Sequence, residues 1–197
     1  MAAGNKLTPG DLMSLEQYAR ERAAFRTRVL QHKVERQLAV GPNATWCFED
    51  RLTVQYQVQE MLRVERIFEP QGIMEELGAY NPLIPDGSNW KVTLLIEFTQ
   101  PEERARALAQ LKEIENRCWV QVARHARVFA VADEDMERAN EEKTSAVHFL
   151  RFELSAPMIA SLRSGVGLAL GIDHPHYRHH VPEVPSTVRQ ALLADFA

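Results

Sequence analysis

The first sustained pattern along the chain is helical. Ser14 and Gln17 form a capping signature ahead of Tyr18, Arg22, Phe25 and Val29, which share one stripe and predict a helix from about Leu15 to Arg36. The period then shortens to two. Ala44, Trp46 and Phe48 alternate with Thr45, Cys47 and Glu49 behind the breaker Gly41-Pro42-Asn43, predicting a β-hairpin between Arg36 and Asp50. The next segment fits both periods: Leu52, Val54, Tyr56 and Val58 alternate, while Val54, Val58, Met61, Leu62 and Phe68 lie on one helical face. Its length favours a helix from Arg51 to Glu69, in which Arg51, Gln55, Gln59 and Arg63 form one i, i+4 row with Glu60 beside it. Such a row, free of Lys and carrying two amides, suits a polar pocket or an ordinary bridged helix surface.

A short helix near Ile73 to Tyr80 leads into the irregular loop from Asn81 to Asn89, rich in Pro, Gly and Asn. Beyond it the pattern predicts a strand from Trp90 to Thr99, a helix from Pro101 to Asn116, and strands from Cys118 to Ala123 and Arg127 to Ala132. A strand from Ala146 to Leu154, a helix from Ser155 to Gly165 and a strand from Val166 to Ile172 follow, with a last helix from Pro185 to Phe196. These elements predict an α+β fold with a mostly antiparallel sheet of about seven strands and about five helices, including two strand-helix-strand units in the C-terminal half. A single domain over residues 1–197 is expected, with residues 1–36 as a helical extension packed on it.

Composition narrows the class. With 45% apolar and 25% charged residues among 197, and a mean hydropathy of -0.31, the chain is neither disordered nor collagenous. Lys and Arg (23) against Asp and Glu (27) give -4, which argues against a whole-protein attraction to nucleic acid or an anionic membrane. That charge is uneven: the first helical segment carries six cations against three acids, or +3, and residues 133–142 hold six acids and one Arg, or -5. Each reads as a solvated surface or as a docking surface for an oppositely charged partner. No apolar run reaches the roughly 18 residues of a membrane span, and the charged first thirty residues lack a signal-like apolar core, so a cytoplasmic protein is expected. Cys47 and Cys118, 71 positions apart, are expected as free thiols.

Candidate chemistry centres on a few polar side chains. Counting by two from Ala146 places His148 on the apolar face with Leu150, Phe152 and Leu154, so a buried imidazole is expected, serving as a bonded core residue or as a ligand or acid/base. Glu60 or Glu97 is its expected carboxylate partner. A pocket built from Glu60, Arg63, Glu97 and His148 would let Arg63 hold an anionic group while His148 or Glu60 moves a proton. The stretch GIDHPHYRHH concentrates His174, His176, His179 and His180; His174, flanked by Asp173 and Pro175, and His148 are the candidate metal ligands. Nucleotide-binding glycine motifs, the GxSxG elbow, HExxH and EF-hand loops are missing from the sequence.

Four blocks, FEDRLTVQYQVQEMLRVERIFEPQGIMEEL, AYNPLIPDGSNWKVTLLIEF, DEDMERANEEKTSAVHFLRFELS and GIDHPHY, resemble the bacterial family called domain of unknown function 3501. The resemblance implies no established activity and names no cofactor. It implies a setting beside a rubrerythrin and a heterodisulfide-reductase-like iron-sulfur protein, hence peroxide defence or thiol redox chemistry. The polar positions that match the family pattern are His32, Glu49, Arg51, Gln59, Glu60, Arg63, Glu65, Asn81, Asp86, Glu97, Asp135, Lys143, His148, Arg151 and His174. Two functions are therefore expected: an accessory protein docking to a rubrerythrin-like or iron-sulfur partner, or a small-molecule-binding protein or enzyme with a Glu/Arg/His pocket, metal-dependent or not. Self-association is open in either case.

Overall fold

The computed structural model describes residues 6–132, 134 and 143–196, so the acidic run, Glu134 apart and with Asp135 in it, lies outside the described residues. Among the described residues six α-helices, α1 (Leu15–Val34), α2 (Arg51–Glu65), α3 (Pro70–Tyr80), α4 (Pro101–Gln110), α5 (Ala156–Arg163) and α6 (Ser186–Leu193), accompany nine strands. The strands are β1 (Gln37–Ala39), β2 (Ala44–Glu49), β3 (Asn89–Ile96), β4 (Cys118–Val122), β5 (Val128–Phe129), β6 (Val131–Ala132), β7 (Val147–Glu153), β8 (Leu168–His174) and β9 (Tyr177–Val181). They form two sheets with antiparallel pairings, ordered β1-β2-β3-β7-β6 and β5-β4-β8-β9.

The fold class is α+β, and the sheet count is corrected from one sheet of about seven strands to two sheets of five and four. Two events account for the difference. The strand expected from Arg127 to Ala132 breaks at Ala130, with β5 pairing to β4 in one sheet and β6 to β7 in the other. The His-rich stretch is itself strand: β8 and β9 form a tight hairpin turning at Pro175-His176, with His174 opposite Tyr177. Polar side chains on both faces hid it from hydrophobic periodicity.

The two sheets share one core. Trp46, Phe48, Trp90, Val92, Leu94, Leu150 and Phe152 point inward from the five-stranded sheet and meet Val120, Val122, Leu168, Leu170 and Ile172 from the other. Trp46 stacks on Phe152 at 5.3 Å, and the Trp90 indole N–H donates to the Leu192 carbonyl at 3.0 Å, fixing α6 over one end. At the other end the Tyr177 hydroxyl donates to the Val40 carbonyl (2.8 Å) and accepts from the Asn43 N–H (3.0 Å). Gly41 is needed there, because its φ of 80° is left-handed and a Cβ would lie 2.4 Å from the His179 ring.

Helices α1, α2 and α3 cover the opposite face of the five-stranded sheet. Asp50 and Thr53 cap α2 reciprocally, Asp50 Oδ1 accepting from the Thr53 N–H and Thr53 Oγ1 from the Asp50 N–H. The helix stops at Glu65 rather than Glu69 because Arg66 takes a left-handed conformation (φ 56°), and Pro70 opens α3. At the head of α1, Ser14 accepts from the Gln17 N–H as expected, yet the Gln17 side chain bonds Glu21, so the reciprocal half of the cap is absent.

Candidate functional site

The polar row on α2 serves the amino-terminal segment. Arg51 pairs with Asp11 at 2.5 Å, Gln55 donates to the Asp11 carbonyl, and the buried Gln59 amide both accepts from the Met13 N–H (2.6 Å) and donates to its carbonyl. Glu60 faces α1: its carboxylate takes two bonds from Arg22 at 2.7 and 2.8 Å and one from the Tyr18 hydroxyl at 2.6 Å, with Arg63 at 3.4 Å. Those donors, Arg22 first, hold the Glu60 carboxyl down at about 2, while burial and Glu60 push the Tyr18 phenol up. A carboxylate gripped this way is a helix clamp and a poor proton carrier.

The remaining expected members lie elsewhere. Glu97 is exposed beyond the end of β3, accepting from Thr45 Oγ1 at 2.9 Å. His148 is fully buried as its strand period demands, yet its neighbours are Thr144 Oγ1 at 3.0 Å and the Ser145 carbonyl at 3.1 Å. The carboxylate beside it is Glu115, at 3.8 Å, in place of Glu60 or Glu97. A carbonyl can only accept, so Nε2 carries the hydrogen in that bond. The four-residue pocket is thus corrected: Glu60 and Arg63 touch, while Glu97 and His148 keep separate company. Strand period reveals which face a side chain occupies and is silent about what approaches it across the core.

His174 is buried at the hairpin corner, Nε2 donating to the Lys112 carbonyl (2.9 Å) and Nδ1 accepting from the His176 N–H (3.2 Å). Both nitrogens are thereby committed to backbone, a structural tautomer instead of a free ligand. His176, His179 and His180 are exposed, and among the described residues no three His, Cys, Asp or Glu side chains gather as a metal site would require.

A cleft does open between the outer face of the five-stranded sheet and the helices. It has two lobes, about 430 and 300 Å³, sharing a partition of Tyr80, Leu83 and Phe149. In the larger lobe Lys91 and Arg151 rise from the sheet, while Met61, Glu65 and Glu76 come from α2 and α3. The smaller lobe holds Lys33, Gln37, Cys47, Glu49 and Thr93. Glu49, Lys91 and Arg151 lie in one cross-strand row, Glu49 opposite Lys91 and Lys91 opposite Arg151.

Their partners differ. Glu49 accepts the hydroxyls of Thr53 and Thr93 at 2.5 and 2.6 Å, and Arg151 pairs with Glu134 and Glu153 at 2.8 Å. Lys91, half-buried between them, has no hydrogen bond or ion pair among the described residues. Burial, reinforced by the Arg151 charge, lowers its ammonium from the ordinary lysine range. On the helical wall, burial and the neighbouring Glu65 and Glu75 raise the Glu76 carboxyl. Cys47 is buried, its thiol pushed up by desolvation and touched by the Gln37 amide at 3.2 Å. Lys91, Tyr80, Glu76 and Phe149 had no motif to single them out. A usable signal existed in Leu95, Val147 and Phe149, apolar residues at outward positions of β3 and β7, which imply a layer above that face.

The molecule is thus an α+β fold with two antiparallel sheets and a charged cleft under a helical cover. The chain belongs to the family described as protein of unknown function (DUF3501), which it matches over residues 6–196. Among solved structures it is similar to a novel protein of unknown function from Burkholderia pseudomallei, with 46% identity, a TM-score of 0.93, and coverage of 98% of this chain and 100% of that one. No curated protein matches it. Among the described residues no helix is long and apolar enough to cross a membrane.

Proposed function

We propose that the protein binds a small organic ligand in the cleft, with Lys91 receiving an anionic group of that ligand. The observation behind this reading is Lys91 itself. An ammonium held half-buried with no direct ion pair among the described residues, only the longer-range pull of Glu134 and Asp86, is destabilising, and a ligand anion in contact with it relieves that cost. Tyr80, Leu83 and Phe149 supply the apolar body of the site. Calorimetric titration with a panel of small carboxylates and phosphates tests it. A member of the panel binds, and Lys91→Met weakens it about tenfold or more, as expected for loss of a charge-assisted bond; equal affinity in the variant would sink the proposal.

A second reading places the protein as an accessory of a rubrerythrin and iron-sulfur-linked peroxide or thiol redox system. Its support is the outer side of α1, where Arg20, Arg26 and Arg28 are exposed and Leu30 and Val34 are 47% and 73% exposed. A basic surface with apolar residues suits an acidic protein partner. Purification from native cells at low salt recovers a salt-sensitive complex on this reading; recovery of the chain alone counts against it.

A further inference from the structure

The uncommitted charges of the larger lobe differ in sign between its two walls. Lys91 and Arg151 stand on β3 and β7, with Glu134 beside them bound to Arg151, while Glu65 and Glu76 project from α2 and α3. Among the described residues no salt bridge joins the walls: Arg151 is taken by Glu134 and Glu153, and Lys91, Glu65 and Glu76 have no ion pair. Facing charges separated by a cleft remain unpaired because the gap exceeds direct reach, and a molecule carrying both charges can span it. The apolar partition of Tyr80, Leu83 and Phe149 lies along the same lobe, so the bridging molecule needs an apolar body as well.

The geometry points to a zwitterion, a free amino acid or short peptide with an unblocked ammonium and carboxylate, as the ligand class of this cleft. The carboxylate meets Lys91, the ammonium meets Glu65 and Glu76, and the side chain lies against Tyr80 and Phe149. This rests on the cleft being the ligand site and adds the requirement for a positive charge at the other end. Each wall excludes a singly charged ligand placed against it the wrong way round, so selectivity comes from repulsion as much as attraction.

The test is calorimetric titration of the intact chain with L-phenylalanine and with the dipeptide L-phenylalanyl-L-alanine, each beside its N-acetyl and C-terminal amide derivatives. A free zwitterion binds, and blocking either end weakens binding about tenfold, as expected for losing one charge-assisted contact. The Glu65→Gln, Glu76→Gln double variant weakens the zwitterion by a similar factor and leaves the N-acetyl derivative unchanged. Equal binding of the N-acetyl derivative and the parent overturns the zwitterion while leaving the anionic site intact. Equal binding of the amide overturns both, and so does an affinity for the zwitterion indifferent to Lys91→Met. If none of the six probes binds, the zwitterion inference fails, and the carboxylate and phosphate panel decides the anionic site separately.

Discussion

One sheet presents two unlike faces. Inward, Trp46, Phe48, Trp90, Val92, Leu94, Leu150 and Phe152 are almost fully buried against the second sheet. Outward, one residue along each strand, Cys47, Glu49, Lys91, Thr93, Phe149 and Arg151 line a cleft beneath helices that leave some 430 Å³ open in one lobe. The backbone hydrogen bonds are common to both faces. The difference is that a sheet packs flat against another sheet, whereas three helices meeting it at a loop-rich corner leave space, and that space is where charged and polar side chains are accommodated. The lesson is that a dry core and a polar cleft are divided by a single layer about one residue thick.

That division can be broken by substitution, beginning on the dry face. Trp90→Ala removes a fully buried indole and its bond to Leu192, and should cost about 3 to 5 kcal/mol in denaturant unfolding. Phe149→Ala, the outward counterpart, should cost about 1 to 2 kcal/mol, because part of the ring already borders open space. If the two losses proved equal by urea midpoint, the contrast between the faces would be wrong.

The clamp that holds the helical cover together gives the next effect. Glu60→Gln should cost about 1 kcal/mol, since it weakens the bonds from Arg22 and Tyr18 without opening a cavity. Its pH signature has a definite sign. The folded carboxyl is held below its ordinary 4.5, at about 2, so its contribution is fully present above pH 4.5 and is lost as the pH falls toward 2. Comparison of wild type and Glu60→Gln by acid unfolding should show their stabilities converging across that window; a constant difference down to pH 2 would assign the loss to packing.

Lys91→Met should be the mildest, within about 0.5 kcal/mol of wild type and on the stabilising side, because it removes a partly buried charge whose desolvation outweighs the pull of Glu134 and Asp86. A loss of more than 1 kcal/mol in thermal unfolding would mean that Lys91 has a structural partner.

The candidate site was only partly legible beforehand. The family resemblance picked out Glu49, Glu65 and Arg151, which do line the cleft, together with Gln59, Asn81 and Glu60, which bind the chain's own segments. Asn81, for instance, exchanges two hydrogen bonds with the Leu7 backbone. A polar residue that ties down a chain segment and one that awaits a ligand look alike in one dimension. Lys91 was indistinguishable from any outward-facing lysine on an amphipathic strand until the neighbours on both sides were seen to have taken other partners.

Local pattern, acting through nearest neighbours along the chain, determined most of the helices and strands and the inward burial of His148. Those properties follow from backbone period and capping, which are fixed within a few residues. Tertiary structure alone decided that Arg127 to Ala132 would divide between two sheets, that Glu115 would stand beside His148, and that Lys91 would line a cleft with no direct ion pair among the described residues. Each depends on contacts between segments distant in sequence, and such contacts are set by how whole layers pack, a quantity no local period contains.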